Sequence, residues 1–112
     1  MKQLRISFLH LAPVTSDIGH NRELVERGVA AAAEQGAHWV ITPELCISGY
    51  LFMERIGTDW ILPQPDPWMK GFLGLVKEHG LTVFLSHPER DPATGKMYNT
   101  VFVIDRNGEI IG

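Results

Sequence analysis

Two strand-like segments flank a helix-like one in the first part of the chain. Residues 4–11 place Ile6 and Phe8 on one face and predict a buried first strand. Residues 21–35 repeat small apolar residues with helical spacing, and residues 39–42 form a second short apolar strand. The apolar stripe of the predicted helix consists of Val25, Val29, Ala32 and Ala33. A strand, a helix and a strand over this distance predict a βαβ unit with parallel strands.

The rest of the pattern predicts a second helix and two more strands. Residues 51–67 hold three prolines and predict a long loop or a broken helix. Residues 67–79 have one apolar face and predict a helix. Residues 81–86 and 98–105 are apolar on both faces, which is typical of strands that are covered on both sides. Between them, residues 87–97 carry turn signals and predict a loop.

The last residues predict a hairpin. Asn107-Gly108 favours a tight turn, and Glu109 to Ile111 would begin the return strand. The two predicted helices can cover only one face of such a sheet. This leaves two alternatives, a small three-layer domain with a short last strand or the N-terminal part of a larger α/β domain. We expect the latter, with residues 1–112 forming part of one domain that is incomplete at its C-terminus.

Composition narrows the class of protein. A chain of 112 residues with 45% hydrophobic and 21% charged residues fits one soluble globular domain at most. The net charge of −3 and the absence of a basic run give no electrostatic case for binding nucleic acid. The apolar run at the start is too short and too interrupted for a signal peptide or a membrane span. A single cysteine excludes an internal disulfide and fits a reducing compartment. We therefore expect a cytoplasmic protein with neither membrane nor nucleic-acid partners.

Candidate chemistry lies where the parallel strands end. Ligands collect beyond the carboxyl ends of such strands, and Glu44 follows the second strand there. His10 lies near the end of the first strand, and His87 and Glu89 follow the third. Glu44 could act as a general base, or it could be a solvated loop acid or cap a backbone turn. Position alone does not decide between these alternatives.

Cys46 lies two residues after Glu44 and invites comparison with a catalytic nucleophile. A strand-to-helix nucleophile elbow needs glycine two residues before and two after the nucleophile. Here Glu44 and Ser48 occupy those positions. A lone cysteine in an apolar segment usually behaves as a small buried hydrophobe. We therefore expect Cys46 to pack rather than react.

Metal and nucleotide motifs are missing from the sequence. Its five histidines form no HExxH motif, and the cysteine has no histidine at zinc-binding spacing. The glycines form neither GxGxxG nor a P-loop. We expect no metal and no cofactor.

An ordered series of motifs runs through nearly the whole chain. An apolar strand with Pro13 comes first, and Asp17 and Asn21 then precede an alanine-rich helix. GAHWVITPELCISGY follows at residues 36–50, and Tyr-Asn-Thr at residues 98–100 leads into an apolar strand and an Asn-Gly turn. This series resembles the N-terminal part of the nitrilase-like carbon–nitrogen hydrolases. The resemblance departs mildly where His38 and Trp39 replace the aspartate and leucine common in that family.

The resemblance implies a fold and an assembly. Family members are αββα sandwiches, so we expect an α/β protein with a mixed sheet and two helices on one face. Two such sandwiches commonly pair, which implies a homo-oligomer. We therefore expect the second sheet face to be covered by another chain or by residues beyond Gly112.

The resemblance also implies roles for particular residues. Glu44 matches the family's general base, and Tyr50 matches a residue that lines the active site. Glu89 follows a strand where members often carry an acid near the pocket. Cys46 lies in the glutamate motif and does not match the family nucleophile. A catalytic lysine is implied shortly after the Asn-Gly hairpin and the nucleophilic cysteine further on, so we expect these 112 residues alone to be inactive.

The activity implied by the complete Cys-Glu-Lys triad is hydrolysis of a small amide, nitrile or N-carbamoyl substrate. In that chemistry the glutamate takes the thiol proton, the thiolate attacks carbon, and the lysine stabilises the developing charge. Relatives that transfer acyl groups or act as glutaminase domains share the triad. A non-catalytic remnant or interaction module of the same fold is a further alternative.

Overall fold

Residues 3–112 are described by the computed structural model of the chain. They form a four-stranded sheet and three helices. In chain order the elements are β1 (Ile6–Phe8), α1 (Ile18–Glu34), β2 (Trp39–Ile41), α2 (Met53–Ile56), α3 (Pro67–His79), β3 (Thr82–Arg90) and β4 (Met97–Ile104). The short α2 lies in the proline-rich segment for which a long loop or broken helix is predicted.

The sheet is mixed, with the strands in their order along the chain. β1 pairs with β2 and β2 with β3 in parallel, and β4 returns antiparallel to β3. After β4, Gly108 N donates to Asp105 O, and Ile110 bridges back to Ile104. Gly108 has a φ of +75°, a conformation that favours glycine. The predicted βαβ unit and the predicted hairpin are both confirmed.

The ends of the two long helices follow from local side-chain chemistry. Asp17 caps α1 by accepting from His20 N, so the helix begins at Ile18, three residues before the predicted start. Asp66 caps α3 by accepting from Met69 N, and Pro67 occupies its first turn. Gly80 ends α3 in the left-handed conformation. The predicted bounds of α3 are therefore confirmed.

The core lies between the sheet and the two long helices. Alternate residues of the central strands, Val40, Val83 and Leu85, point into it and are fully buried. Both helices contribute apolar side chains to the same cluster: Val25, Val29 and Ala32 from α1, and Met69, Phe72 and Val76 from α3. The prediction of two helices on one sheet face is confirmed.

The other sheet face exposes apolar side chains. Trp39 and Phe84 pack against each other there, with ring centroids 5.2 Å apart. Ile6 and Phe8 of β1 lie 42% and 63% exposed, and Val101 of β4 is exposed as well. The prediction of a buried first strand is wrong for the described chain, because β1 is an edge strand whose outer face has no layer against it. That another chain or further residues cover this face stays a prediction.

β3 extends further than its apolar pattern indicated. The predicted loop over residues 87–97 is wrong at both ends, because residues 87–90 belong to β3 and residue 97 to β4, and residues 87–90 pair with residues 97–100. The main chain of Phe84 and Ser86 faces β2, since Phe84 O accepts from Thr42 N and Ser86 N donates to Thr42 Oγ1. Main-chain groups of alternate strand residues point to the same neighbouring strand, so the Pro88 nitrogen also points toward the β2 side. At that position β2 has already ended. The proline therefore costs the β3–β4 ladder no hydrogen bond.

Candidate active site

Glu44 lies just beyond the carboxyl end of β2, on the surface of the described chain. Its Oε2 accepts a hydrogen bond from Asn99 Nδ2 at 3.2 Å. The two residues are 55 positions apart, and they meet because β2 and β4 flank β3 on opposite sides. Asn99 is thus a polar partner of the Glu44 carboxylate, and no site role is predicted for Asn99 from the sequence. It belongs to the Tyr-Asn-Thr motif, which is the signal that could have found it.

Ser86 fixes the loop that carries Glu44. Its backbone N–H donates to Thr42 Oγ1 and its Oγ accepts from Leu45 N, both at 2.9 Å. These contacts tie the Thr42 side chain before Glu44 and the Leu45 backbone after it to β3. Leu45 has a φ of +51°, which is uncommon for a residue with a side chain and shows how tightly the loop is bent. No role is predicted for Ser86 from the sequence, where its only signal is a polar residue at the end of an apolar segment.

The segment after Glu44 is anchored from α1. Asn21 is fully buried, and its Nδ2 donates to Ile47 O and to Val14 O, both at 2.8 Å. Ser16 N donates to Ser48 O at 2.8 Å. Gly49 has a φ of +75°, and a Cβ there would come within 3.0 Å of the backbone of Thr15. The glycine of this motif is therefore required by both its conformation and its packing.

Cys46 points into the core, as expected. It is 1% exposed, and its Sγ lies 3.6 Å from Ser86 O, to which the thiol donates. Burial raises the pKa of the Cys46 thiol, because the interior disfavours the thiolate. A protonated, buried thiol is a poor nucleophile.

A cavity of about 290 Å³ is lined by Leu45, the residue after Glu44, and by Asn99, the hydrogen-bond partner of Glu44. Tyr50 and Asn99 both line it. Because Asn99 also donates to Glu44, it contacts both the cavity and the Glu44 carboxylate. We call it the Tyr50 cavity. Its lining residues are Leu45, Tyr50, Phe52, Met53, Thr58, Ile61, Pro88, Met97, Tyr98 and Asn99.

Glu89 occupies a different place. It lies within β3, half-buried and opposite Tyr98, and it is not among the residues that line the Tyr50 cavity. Because side chains alternate along a strand, Glu89 shares a sheet face with His87, whereas Pro88 lies on the opposite face. The structure thus brings Glu44, Asn99 and the Tyr50 cavity together and places Glu89 outside that group. A pocket role for Glu89 stays a prediction.

His87 is a buried titratable group behind this site. It is 1% exposed and its ring stacks on Trp68, with ring centroids 5.7 Å apart. Nδ1 lies 2.7 Å from Pro88 O, so it carries the proton and donates to that carbonyl. Nε2 is buried and has no partner among the described residues. Protonating His87 would therefore bury an N–H group without an acceptor.

The pKa of His87 lies below its usual value. Burial is the largest cause; the nearby Arg22 also lowers it, while the Pro88 carbonyl, Asp66 and Glu89 act in the opposite direction. The unfolded chain therefore binds a proton at a pH where the folded chain does not.

We expect the free energy of unfolding to fall as the pH is lowered through 6.5, the ordinary value for histidine. The slope from this group is at most about 1.4 kcal/mol per pH unit, since one proton is involved. Denaturant titrations between pH 5 and 8 measure it, and His87→Gln is expected to flatten the curve. The exposed His20→Gln is the control, and an equal flattening by both variants would contradict the assignment.

Neither a metal cluster nor a membrane-spanning helix is found within residues 3–112. No group of three or more histidine, cysteine, aspartate or glutamate side chains in this range is arranged to hold a metal ion. None of the helices in the same range has the length and apolar character needed to cross a membrane.

The fold and this site define an α/β protein that carries a hydrogen-bonded carboxylate at the carboxyl end of a parallel strand pair. The model of one family, carbon-nitrogen hydrolase, matches residues 3–112, and the chain belongs to this family.

Relatives of known structure share the fold. Over 97% of the chain, the structure is similar to an amidase from Nesterenkonia sp. AN1, with a TM-score of 0.75 and 24% identity. It is also similar over 97% of the chain to Saccharomyces cerevisiae Nit3, a member of branch 10 of the nitrilase superfamily, with a TM-score of 0.79 and 20% identity. These similarities confirm the predicted fold class. The chain covers 41% and 42% of those two structures.

A curated relative adds a sequence comparison. The chain is 27% identical to a pantetheinase from Canis lupus familiaris over 90% of its own length. It spans only 26% of that protein. The Nesterenkonia structure compared above is of a mutant of the amidase, in which the acetamide moiety of fluoroacetamide is covalently added at the active-site cysteine.

Proposed function

We propose that Glu44 is the general base of a carbon–nitrogen hydrolase that acts on a small amide, nitrile or N-carbamoyl substrate. The observation that carries the proposal is the Glu44–Asn99 hydrogen bond beside the Tyr50 cavity, at the strand ends where ligands bind in such folds. Membership of the carbon-nitrogen hydrolase family and the amidase among its structural relatives support it.

In this proposal the nucleophile and a cationic group come from residues outside the range 1–112. Glu44 removes the proton of a cysteine thiol, and the thiolate forms a bond to the carbonyl or nitrile carbon. For an amide, the C–N bond breaks and the proton held by Glu44 passes to the leaving nitrogen. Water then attacks the thioester carbon while Glu44 takes its proton. The C–S bond breaks, the carboxylic acid leaves, and the proton held by Glu44 returns to the thiolate, which regenerates the thiol. A lysine stabilises the negative charge that develops on the substrate.

The surroundings of Glu44 suit this role. The carboxylate remains exposed, so a substrate can reach it, while Asn99 holds one of its oxygens. The loop is fixed by Ser86 on both sides of Glu44, which keeps the base in one place. A general base must lie within hydrogen-bond reach of the proton that it removes, and a fixed loop reduces the entropic cost of that geometry.

Ammonia release tests the proposed activity. We expect the complete gene product to release ammonia from simple amides or nitriles, or from N-carbamoyl compounds, and residues 1–112 alone to release none. Cys46→Ser in the complete protein is expected to retain activity, because the thiol is buried against Ser86. Turnover by residues 1–112 that is abolished by Cys46→Ala would overturn both the proposed triad and the packing role of Cys46.

A further inference from the structure

The Tyr50 cavity has a composition that selects among substrates. Nearly all of its lining is apolar or aromatic, and no charged side chain lies among the described residues that line it. Asn99 is the amide-bearing member of that lining, and its Nδ2 already donates to Glu44. A ligand in the cavity therefore meets apolar surface on most sides and a hydrogen-bonding amide at the side next to the carboxylate.

The cavity size limits what can enter. Its volume of about 290 Å³ is near the lower end for small-molecule sites. An apolar cavity of about 150 Å³ is enough to hold benzene. The Tyr50 cavity therefore has room for one ring-sized group or a short alkyl chain together with an adjoining amide.

The wall of the cavity is held in place by Arg90. Its Nε donates to Ile61 O and its Nη2 to Thr58 O, both at 2.8 Å. Its Nη1 donates to Gly95 O at 3.2 Å, on the connection between β3 and β4. Thr58 and Ile61 both line the cavity, so the guanidinium ties this wall to the sheet. The site is thus formed before a ligand arrives, which lowers the entropic cost of binding.

We propose that the Tyr50 cavity binds the uncharged, apolar portion of the substrate, a short alkyl or single-ring group, and directs its C–N bond toward Glu44. This inference rests on the proposed function and adds the substrate class. A carboxylate or ammonium on that portion would lose its hydration and find no charged partner among the described residues of the lining, which disfavours charged substrates. Each methylene buried there is expected to raise kcat/KM by about fourfold until the cavity is full.

Methionine methyl groups offer a direct readout of binding. Met53 and Met97 line the cavity, whereas Met69 is fully buried in the core and serves as an internal control. We expect hexanamide and benzamide to shift the ¹³C-methyl signals of Met53 and Met97 saturably and to leave Met69 unchanged. Succinamate, which carries a carboxylate, is expected to produce no saturable shift. No response to the neutral amides, or an equal response to succinamate, would overturn the inference.

A pair of variants separates the cavity from its surroundings. Met53 and Leu51 are 61% and 73% exposed, but Met53 lines the cavity and Leu51 does not. Met53→Glu is expected to weaken hexanamide binding about tenfold, whereas Leu51→Glu leaves it unchanged. Equal effects of the two variants would contradict the assignment.

The substrate series in the complete protein distinguishes this inference from the proposed function. Hydrolysis that favours charged over apolar amides would overturn the inference and leave the hydrolase proposal standing. Saturable binding of neutral amides with no hydrolysis of any amide, nitrile or N-carbamoyl compound would instead overturn the hydrolase proposal, while the binding preference of the cavity would stand.

Discussion

Replacing Glu44 by glutamine is expected to lower kcat of the complete enzyme by about 10²–10⁴-fold, the usual contribution of a general base. Glutamine is almost the same size as glutamate, and its side-chain oxygen can still accept from Asn99 Nδ2. The loop contacts to Ser86 involve Thr42 and Leu45, so the substitution leaves them in place. The glutamine amide cannot take up the thiol proton, and the loss should therefore appear in the chemical step.

The measurement is steady-state kinetics of ammonia release on the amide that the complete protein hydrolyses best. Glu78→Gln, at an exposed position of α3, is the matched control and should leave kcat and KM unchanged. A folding check by circular dichroism separates loss of catalysis from loss of structure. If kcat of Glu44→Gln stays within a factor of two of the parent, the general-base role is wrong.

Replacing Asn21 by aspartate is expected to lower the free energy of unfolding by about 3 kcal/mol, the largest stability effect that we predict. The Asn21 side chain is fully buried. It donates to Val14 O and Ile47 O and accepts from Val14 N, each at 2.8 Å. Aspartate keeps the shape but removes both donors and sets a carboxylate against two carbonyl oxygens. The buried Ile47 carbonyl would then lose its hydrogen-bond partner, whereas Val14 O would keep the bond from Asp17 N, and a buried charge would lack a counterion.

Urea unfolding curves measure this loss. If the dependence of the unfolding free energy on urea concentration is the same for both proteins, the loss appears as a lower urea concentration at the midpoint. Asn107→Asp makes the same chemical change at an exposed position of the hairpin turn and is expected to alter stability by no more than about 0.5 kcal/mol. Similar shifts for the two variants would show that Asn21 contributes no special anchoring. Because Asn21 holds Ile47 in the segment after Glu44, its loss should also loosen that segment.

The elements that the sequence predicted best are those with local causes. α3 follows a capping aspartate, has a proline as its first residue and is ended by a left-handed glycine, so each signal lies at the helix ends. The hairpin after β4 depends on Gly108 and on backbone hydrogen bonds between near neighbours in the chain. Predictions failed where distant parts of the chain decided the outcome. Pairing with β4 extends β3 past Pro88, and β1 is exposed because no described layer covers its outer face.

The candidate site shows the same division. Sequence motifs indicated Glu44 and Tyr50, and the structure places Glu44 beside the cavity that Tyr50 lines. The contact between Asn99 and Glu44 joins residues that lie 55 positions apart in the chain. The contact between Ser86 and Leu45 joins residues that lie 41 positions apart. Such pairings depend on which strands become neighbours and in what register, and periodicity along one segment carries no information about that.

The sequence by itself determined the helices, the turns, the parallel βαβ unit and the family motifs, because each depends on side-chain periodicity or on hydrogen bonds between near neighbours in the chain. Only the tertiary structure decided that Asn99 holds the Glu44 carboxylate and that a cavity without charged side chains among its described lining residues adjoins Asn99. These features arise where β4 pairs with β3 and where the loop after β2 is bound to Ser86. Sheet register brings those distant residues together, so they became visible only in the folded chain.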